Sequence, residues 1–509
     1  MRHISNGRRL GWLSAVLAVL CLALWSAAAA ADQPQWGHGF TRNMISLEKG
    51  LPDAFDPATG KNIKWMAQLG TETYSTPIIA NGRVLIGTNN RQPRDPRHTG
   101  DRSVLMCFDE TDGKFLWQLV SPKITNSIYW DWPNDGMCST VTVESNRVYL
   151  VGNRGEVLCL DLDGMANGND GPFLDEARHS VPAGQEPIAP GAADADIVWL
   201  FDMIKECGVR QHDSAHSSIL LLGDYLYVNT SNGVDDSHRR IMSPDAPSLI
   251  VVDKRTGRLV ARDKERIGPR IFHSTWSAPA LAEIQGRKLI VFAGGDGVVY
   301  AFEPISQAPP NGVVQKLKKV WQFDCDPTAP KENVHKYNSN RKESPSNIKG
   351  MPVFDGGCIY VAHGGDLWWG KHEAWLKCFA ASGEGDTTAT ALKWSYPLER
   401  HSMSTPAVWN GLVFIADCGK KVHCLDANTG KPYWVQETGG DIWGSTLVAD
   451  GKVYVGTRRG DFWIFECSKE KKVLSQAAFG SPINASPMAA NGVLYVATMK
   501  NLYAIQQAR

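Results

Sequence analysis

Residues 109–117 read Asp-Glu-Thr-Asp-Gly-Lys-Phe-Leu-Trp. The phrase returns at Asp426 to Trp434, at Asp56 to Trp65 and, weakened, at Asp253 to Val260. An Asp that caps the turn and a Gly free to take positive φ specify a tight reversal. The Trp that follows is suited to dock flat on a neighbouring unit. Trp199, Trp321 and Trp394 occupy the equivalent place in other copies. Working back from each turn, a strand such as Val84 to Gly87 recurs as VYLVG, LYVNT, LIVFA, IYVAH, VFIAD, VYVGT and LYVAT.

Eight units begin at small or hydroxyl residues: Ser75, Ser139, Ser217, Ser277, Gly350, Ser404, Ser445 and Ala485. Each offers short strands bounded by Asn-Gly, Asp-Gly or Gly-Gly turns, and helical periodicity is essentially absent. Strand-only repeats of this length predict an all-β fold, an eight-bladed β-propeller of four-stranded antiparallel blades. The last unit stops after its third strand, Leu502 to Ile505, while the Asp56 to Trp65 phrase has no strands before it. The strand from Asn62 to Ala67 is therefore expected to complete the last blade, which removes the exposed edges of an open ring.

The 53 basic and 53 acidic residues balance, which gives no reason to expect nucleic acid or an anionic membrane as partner. Arg2, Arg8 and Arg9 precede an apolar run from Leu10 to Trp25 and small residues from Ala27 to Ala31. That layout reads as an export signal over 1–30, leaving 31–509 as a single propeller domain, periplasmic or secreted. The run falls short of the ~20 residues of a membrane span. Leu20 precedes Cys21 where a lipid-attachment site needs a small residue, so no membrane anchor is expected. Cys107, Cys159, Cys378 and Cys424 share one repeat position and read as a small apolar slot. Cys418 and Cys424 are the candidate disulfide. No CxxC occurs, so thiol redox chemistry, zinc clusters and covalent haem have no support.

The turn phrase and the eight units resemble the pyrroloquinoline-quinone (PQQ) repeat propellers, the quinoprotein alcohol dehydrogenase-like family. Pro34 to Trp36 is similar to the opening of many exported members. The resemblance implies the fold over roughly 34–509. For the dehydrogenases it also implies PQQ with calcium on a Glu/Asn/Asp set, an aspartate base, a vicinal disulfide against the quinone and a Trp on its other face. This chain has no adjacent cysteines and no recognisable calcium set. One fold carries many functions.

Long insertions at 88–103, 231–247 and 363–375, with 120–137 and 326–348, fall on one rim and place a binding face there. Candidates at the channel mouth are Tyr74, Asp131, His216, His273, Trp276, His401, Asp441, Trp443 and Arg458; His212, Asp213 and Asp366 approach the same region. Asp161, Asp163, Asn167, Asn169 and Asp170 form a glycine-separated oxygen-rich loop read as a calcium candidate, although Met165 and Pro172 break the EF-hand pattern. The leading reading is an exported scaffold binding a small molecule, carbohydrate or protein on the insertion-rich face. Trp368, Trp369 and Trp375 are the residues that would stack on sugars. The alternatives are a PQQ-dependent oxidoreductase, which is the first guess if the chain is enzymatic, and a polysaccharide hydrolase or lyase. In the last case His216, His273 and His401 would supply acid and base groups. The cofactor is left open.

Overall fold

Tryptophans that follow the turns tie five of the eight blades to the next by an indole hydrogen bond. The computed structural model describes residues 31–124 and 127–507; the expected export signal lies outside them. Eight sheets form eight blades. Their innermost strands are, in order, Ile78–Ala80, Thr142–Glu144, Leu220–Leu222, Ala280–Ile284, Val353–Asp355, Ala407–Trp409, Leu447–Ala449 and Met488–Ala490. Ile63–Gln68 pairs antiparallel with Asn501–Ile505, setting Trp65 opposite Ala504 and Met66 opposite Tyr503, so the N-terminal strand completes blade 8. Three blades are wider than the expected four strands. Short parallel strands at Gln315–Lys316, Gly385–Asp386 and Ile45–Ser46 flank blades 3, 4 and 7.

Trp117 on the outer strand of blade 1 donates its indole N–H to the Leu162 carbonyl of blade 2 at 2.8 Å. Trp65, Trp199, Trp394 and Trp434 do the same to Glu110, Lys254, Ala427 and Ser468 of the following blade at 3.0–3.1 Å. Beneath each of three indoles lies the glycine of the next turn phrase. A Cβ on Gly113, Gly257 or Gly430 would stand 2.5–2.7 Å from Trp65, Trp199 or Trp394. The glycine thus serves its own positive φ and the neighbour's ring together.

The cysteine slot has the same origin. Cys107, Cys159, Cys378 and Cys424 stand directly across the sheet from Trp117, Trp199, Trp394 and Trp434. Ala301 and Ala504 fill that place opposite Trp321 and Trp65. A small side chain leaves room for the indole. Cys418 and Cys424 are both free, in place of the expected disulfide. The Cys418 thiol points to the Ile442 carbonyl and that of Cys424 to Ser468, because one ends its strand while the other faces the docked Trp434.

Residues at or just after the start of six units make a second set of ties along the channel, running through blades 5, 6, 7, 8, 1 and 2. The Met351 amide of blade 5 donates to Thr405 Oγ1 of blade 6, Thr405 to Ser445 Oγ of blade 7, and Ser445 to Ser486 Oγ of blade 8. Ser486 donates to Thr76 Oγ1 of blade 1, and Thr76 to Thr140 Oγ1 of blade 2. These five bonds, 2.8–3.2 Å long, satisfy buried main-chain donors that no strand partner reaches.

Segment 31–48 winds through the channel and meets the innermost strand, or the turn leading into it, of every blade. Gln33 exchanges two main-chain bonds with Ile79 of blade 1, and the Pro34 carbonyl accepts from Val143 of blade 2. The buried Arg42 guanidinium donates to Ser218 and Pro279 carbonyls of blades 3 and 4, each at 2.8 Å. Gly39–Thr41 lies against blade 5. Asn43 exchanges two side-chain bonds of 2.8 Å with the Val408 main chain in blade 6. Ile45–Ser46 runs beside blade 7, and Ser46 Oγ donates to Ala489 of blade 8. This closes the short-turn end of the channel.

Gly82 and Gly113 both sit at positive φ, +73° and +75°, but only Gly113 carries a neighbour's ring. Urea denaturation of Gly113→Ala should show a loss larger than that of Gly82→Ala by about 1–3 kcal/mol. Equal losses would contradict the docking account.

Candidate functional site

At the insertion-rich end the channel opens into a cavity of about 480 Å³. Its floor is Trp36 of the N-terminal segment, and its walls are the loops that lead into the innermost strands together with the 231–247 and 363–375 insertions. Of the expected residues, Tyr74, His216, His273, Trp276 and Trp443 line it, as do Trp368 and Trp369. Arg458 stands behind that wall with its guanidinium 4.1 Å from the Trp443 ring centre. Asp131 lies outside the lining, held by Lys123 at 2.7 Å and by Asn153. His401 and Asp441 are likewise not on the wall. His401 is buried beneath it, and the Asp441 carbonyl accepts from the Arg458 amide. Trp375 stacks on His363, away from the cavity.

The acidic loop does not gather its oxygens around a cation position. Asp161 pairs with Arg147, and its Oδ1 accepts from the Asp163 amide and Asn167. Asp163 pairs with Arg83 at 3.0 Å, Asn169 donates to Glu176, and Asp170 lies 3.8 Å from Arg147. Arginines neutralise the charge that calcium would have met, and the loop is an ordinary Asp/Asn turn.

The densest chemistry is on one wall. His212 Nδ1 bonds the Val234 carbonyl at 2.9 Å, and its Nε2 faces His238 Nε2 at 3.0 Å. His273 Nδ1 bonds Asp366 Oδ2 at 3.1 Å, and its buried Nε2 has no hydrogen-bond partner. The Asp213 carboxylate stands 3.4 Å from His212 Nε2 and 3.6 Å from His273 Nε2. Asp366 is clamped by Lys349 at 3.1 Å, by Asn347 at 2.8 Å and by the Trp368 and Trp369 amides. Burial alone would raise its pKa, but Lys349 and His273 hold it well below the usual carboxylate range. Asp213 moves the other way, raised by burial against the pull of His273 and Lys349. Burial and the neighbouring imidazoles push the His212 pKa down, which favours its neutral ring.

His238 was not among the sequence candidates. It lies in the 231–247 insertion, where no repeat position marks it; Trp36 stands in the N-terminal segment outside the repeats, while Lys349, directly before the unit start at Gly350, had a repeat position that could have found it. A run of polar residues in an insertion on the binding rim was the one available signal.

Residues 384–469 match the family model described as outer membrane protein assembly factor BamB. The crystal structure of BamB from Moraxella catarrhalis is similar at 12% identity and TM-score 0.51, covering 87% of this chain and 98% of that one. Quinohemoprotein alcohol dehydrogenase from Comamonas testosteroni aligns at 12% identity and TM-score 0.47, over 95% of this chain and 82% of that one. The chain is an eight-bladed β-propeller, and one stretch of it matches a PQQ-repeat family model. No curated protein matches it. Likeness at these identities carries the fold alone.

The propeller's cavity does not fit PQQ. The quinone carries three carboxylates, whereas the lining offers Asp135, Asp213 and a Lys349 already paired to Asp366. Cys138 is the one cysteine in the lining, its thiol turned to main-chain carbonyls, so no disulfide can face a quinone.

Beneath the wall, burial and then the Lys349 charge lower the His401 pKa from 6.5 to about 3. Neither of its ring nitrogens meets a full hydrogen-bond partner. The unfolded chain binds this proton near pH 6.5 and the folded chain only near 3, so stability is full above 6.5 and lost as pH falls through that window. His401→Leu should flatten the fall by up to ~1.4 kcal/mol per pH unit. An unchanged slope in pH-dependent urea unfolding would contradict this.

Proposed function

We propose that this propeller is an exported ligand-binding protein whose channel-mouth cavity takes a small carbohydrate. The observation that carries the reading is a run of indoles along one cavity. Trp276 and Trp368 lie edge to face at 6.0 Å and 82°, and Trp368 and Trp443 repeat that at 6.2 Å and 82°. Successive perpendicular faces suit a ring with one apolar face and a polar perimeter. Beside them Asp135, Asp213 and His216 can take hydroxyl groups. A volume of about 480 Å³ lies within the ordinary range for small-molecule sites, ~300–1,000 Å³. Export rests on the N-terminal sequence pattern.

Lys349 sharpens the aromatic wall. Its ammonium stands 3.7 Å from the Trp276 ring centre and 5.1 Å from that of Trp368, while bonded to Asp366. That arrangement fixes both indoles before a ligand arrives and lowers the entropy lost on binding.

Trp368 is 40% exposed at the cavity rim, so its removal should leave the fold intact. Calorimetric titration with mono- and oligosaccharides should find a ligand that Trp368→Ala binds at least ~10-fold more weakly, about 1.4 kcal/mol, at an unchanged Tm. Absence of saccharide binding, or equal affinity in the variant, would overturn the reading.

A further inference from the structure

We propose that His212, His238, His273 and Asp213 bind a single divalent first-row transition metal on the wall of the ligand cavity. One ring nitrogen from each of the three imidazoles lies within 4.8 Å of the other two. Two nitrogens about 2.1 Å from one ion, at 90–110° to each other, stand ~3.0–3.4 Å apart. The His212 to His238 separation is 3.0 Å.

Two of the three rings are held from behind in the orientation a ligand requires. His212 Nδ1 donates to the Val234 carbonyl and His273 Nδ1 to the Asp366 carboxylate. These partners fix the tautomers, so that Nε2 of His212 and of His273 carries a lone pair. Metal-binding histidines are supported in this way. Without a cation the arrangement is costly, because the buried Nε2 of His273 has no hydrogen-bond partner.

The backbone bends to build the cluster. Asp213, Ser214 and His238, all with side chains, take φ of +64°, +120° and +56°. Such conformations persist where the surroundings demand them, and they collect at functional sites. Asp213 gains its place beside His212 and His273 through that bend.

Three nitrogens and one carboxylate select a borderline ion such as zinc, iron or copper over calcium or magnesium, which prefer all-oxygen shells. Asp213, His238 and His273 line the cavity, whereas His212 lies behind them. An ion there would face the bound ligand and could polarise a ligand oxygen or a water. The site stands whether or not the ligand is a carbohydrate, since metal content can be measured with no sugar present.

The test is metal analysis of the full mature chain, produced without a polyhistidine tag and compared before and after chelation. About one equivalent of transition metal is expected, removed by chelator and restored by zinc or cobalt, with visible absorption bands in the cobalt form. His238→Gln and Asp213→Asn should each weaken cobalt binding. For His238→Gln the loss should be about 100-fold or more, since removing a mere supporting partner already costs 10–100-fold. His98→Gln should change nothing; it belongs to the Asp95, His98 and Asp194 group, where Arg97 already pairs with Asp95. Failure to bind zinc, cobalt, manganese or copper, or stoichiometric metal retained by both variants, would overturn the proposal. So would loss of metal in His98→Gln alone.

Discussion

The winding of segment 31–48 through the channel is the constraint on which the rest depends. A propeller ring has no covalent closure and a wet hole at its centre. Here one stretch of chain meets all eight blades, and the strand that follows it completes the eighth. Most of its bonds run to main-chain atoms of residues distant in sequence, from Arg42 to Pro279 and from Asn43 to Val408. Sealing the short-turn end leaves one mouth, and Trp36 becomes the floor of the cavity beneath it.

The outer ring rests on different physics. Five of the docked indoles bury a large apolar surface and satisfy their own N–H on the next blade, so those ties are directional as well as hydrophobic. The ties through hydroxyl groups play the corresponding part near the channel, where adjacent blades converge and only small side chains fit. Two sets of blade-to-blade contacts at different radii hold the loops of the cavity on a stiff frame.

The repeat and the Asp-x-x-Thr-Gly turns were legible because turn chemistry is local: capping, positive φ and strand alternation occur within ten residues. The closing strand was legible too, since a docking Trp65 without its own blade must belong to the last one. The path of segment 31–48 was not, because Arg42 and Asn43 work through main-chain atoms that carry no sequence signature. At the site, His216, His273, Trp276 and Trp443 could be placed by their distance from a first strand. His238 could not, since insertions have no register. The oxygen-rich loop from Asp161 misled because composition does not reveal that Arg83 and Arg147 reach it from elsewhere.

The most direct measurement is native-state hydrogen exchange at the amides of Ile79, Val143, Val408 and Val448, which donate to segment 31–48. If that segment is integral to the ring, these amides exchange only through global unfolding, as slowly as those of the inner strands. Exchange at the rate of surface loops, with the inner strands still protected, would show that the segment lifts away and that the ring stands without it.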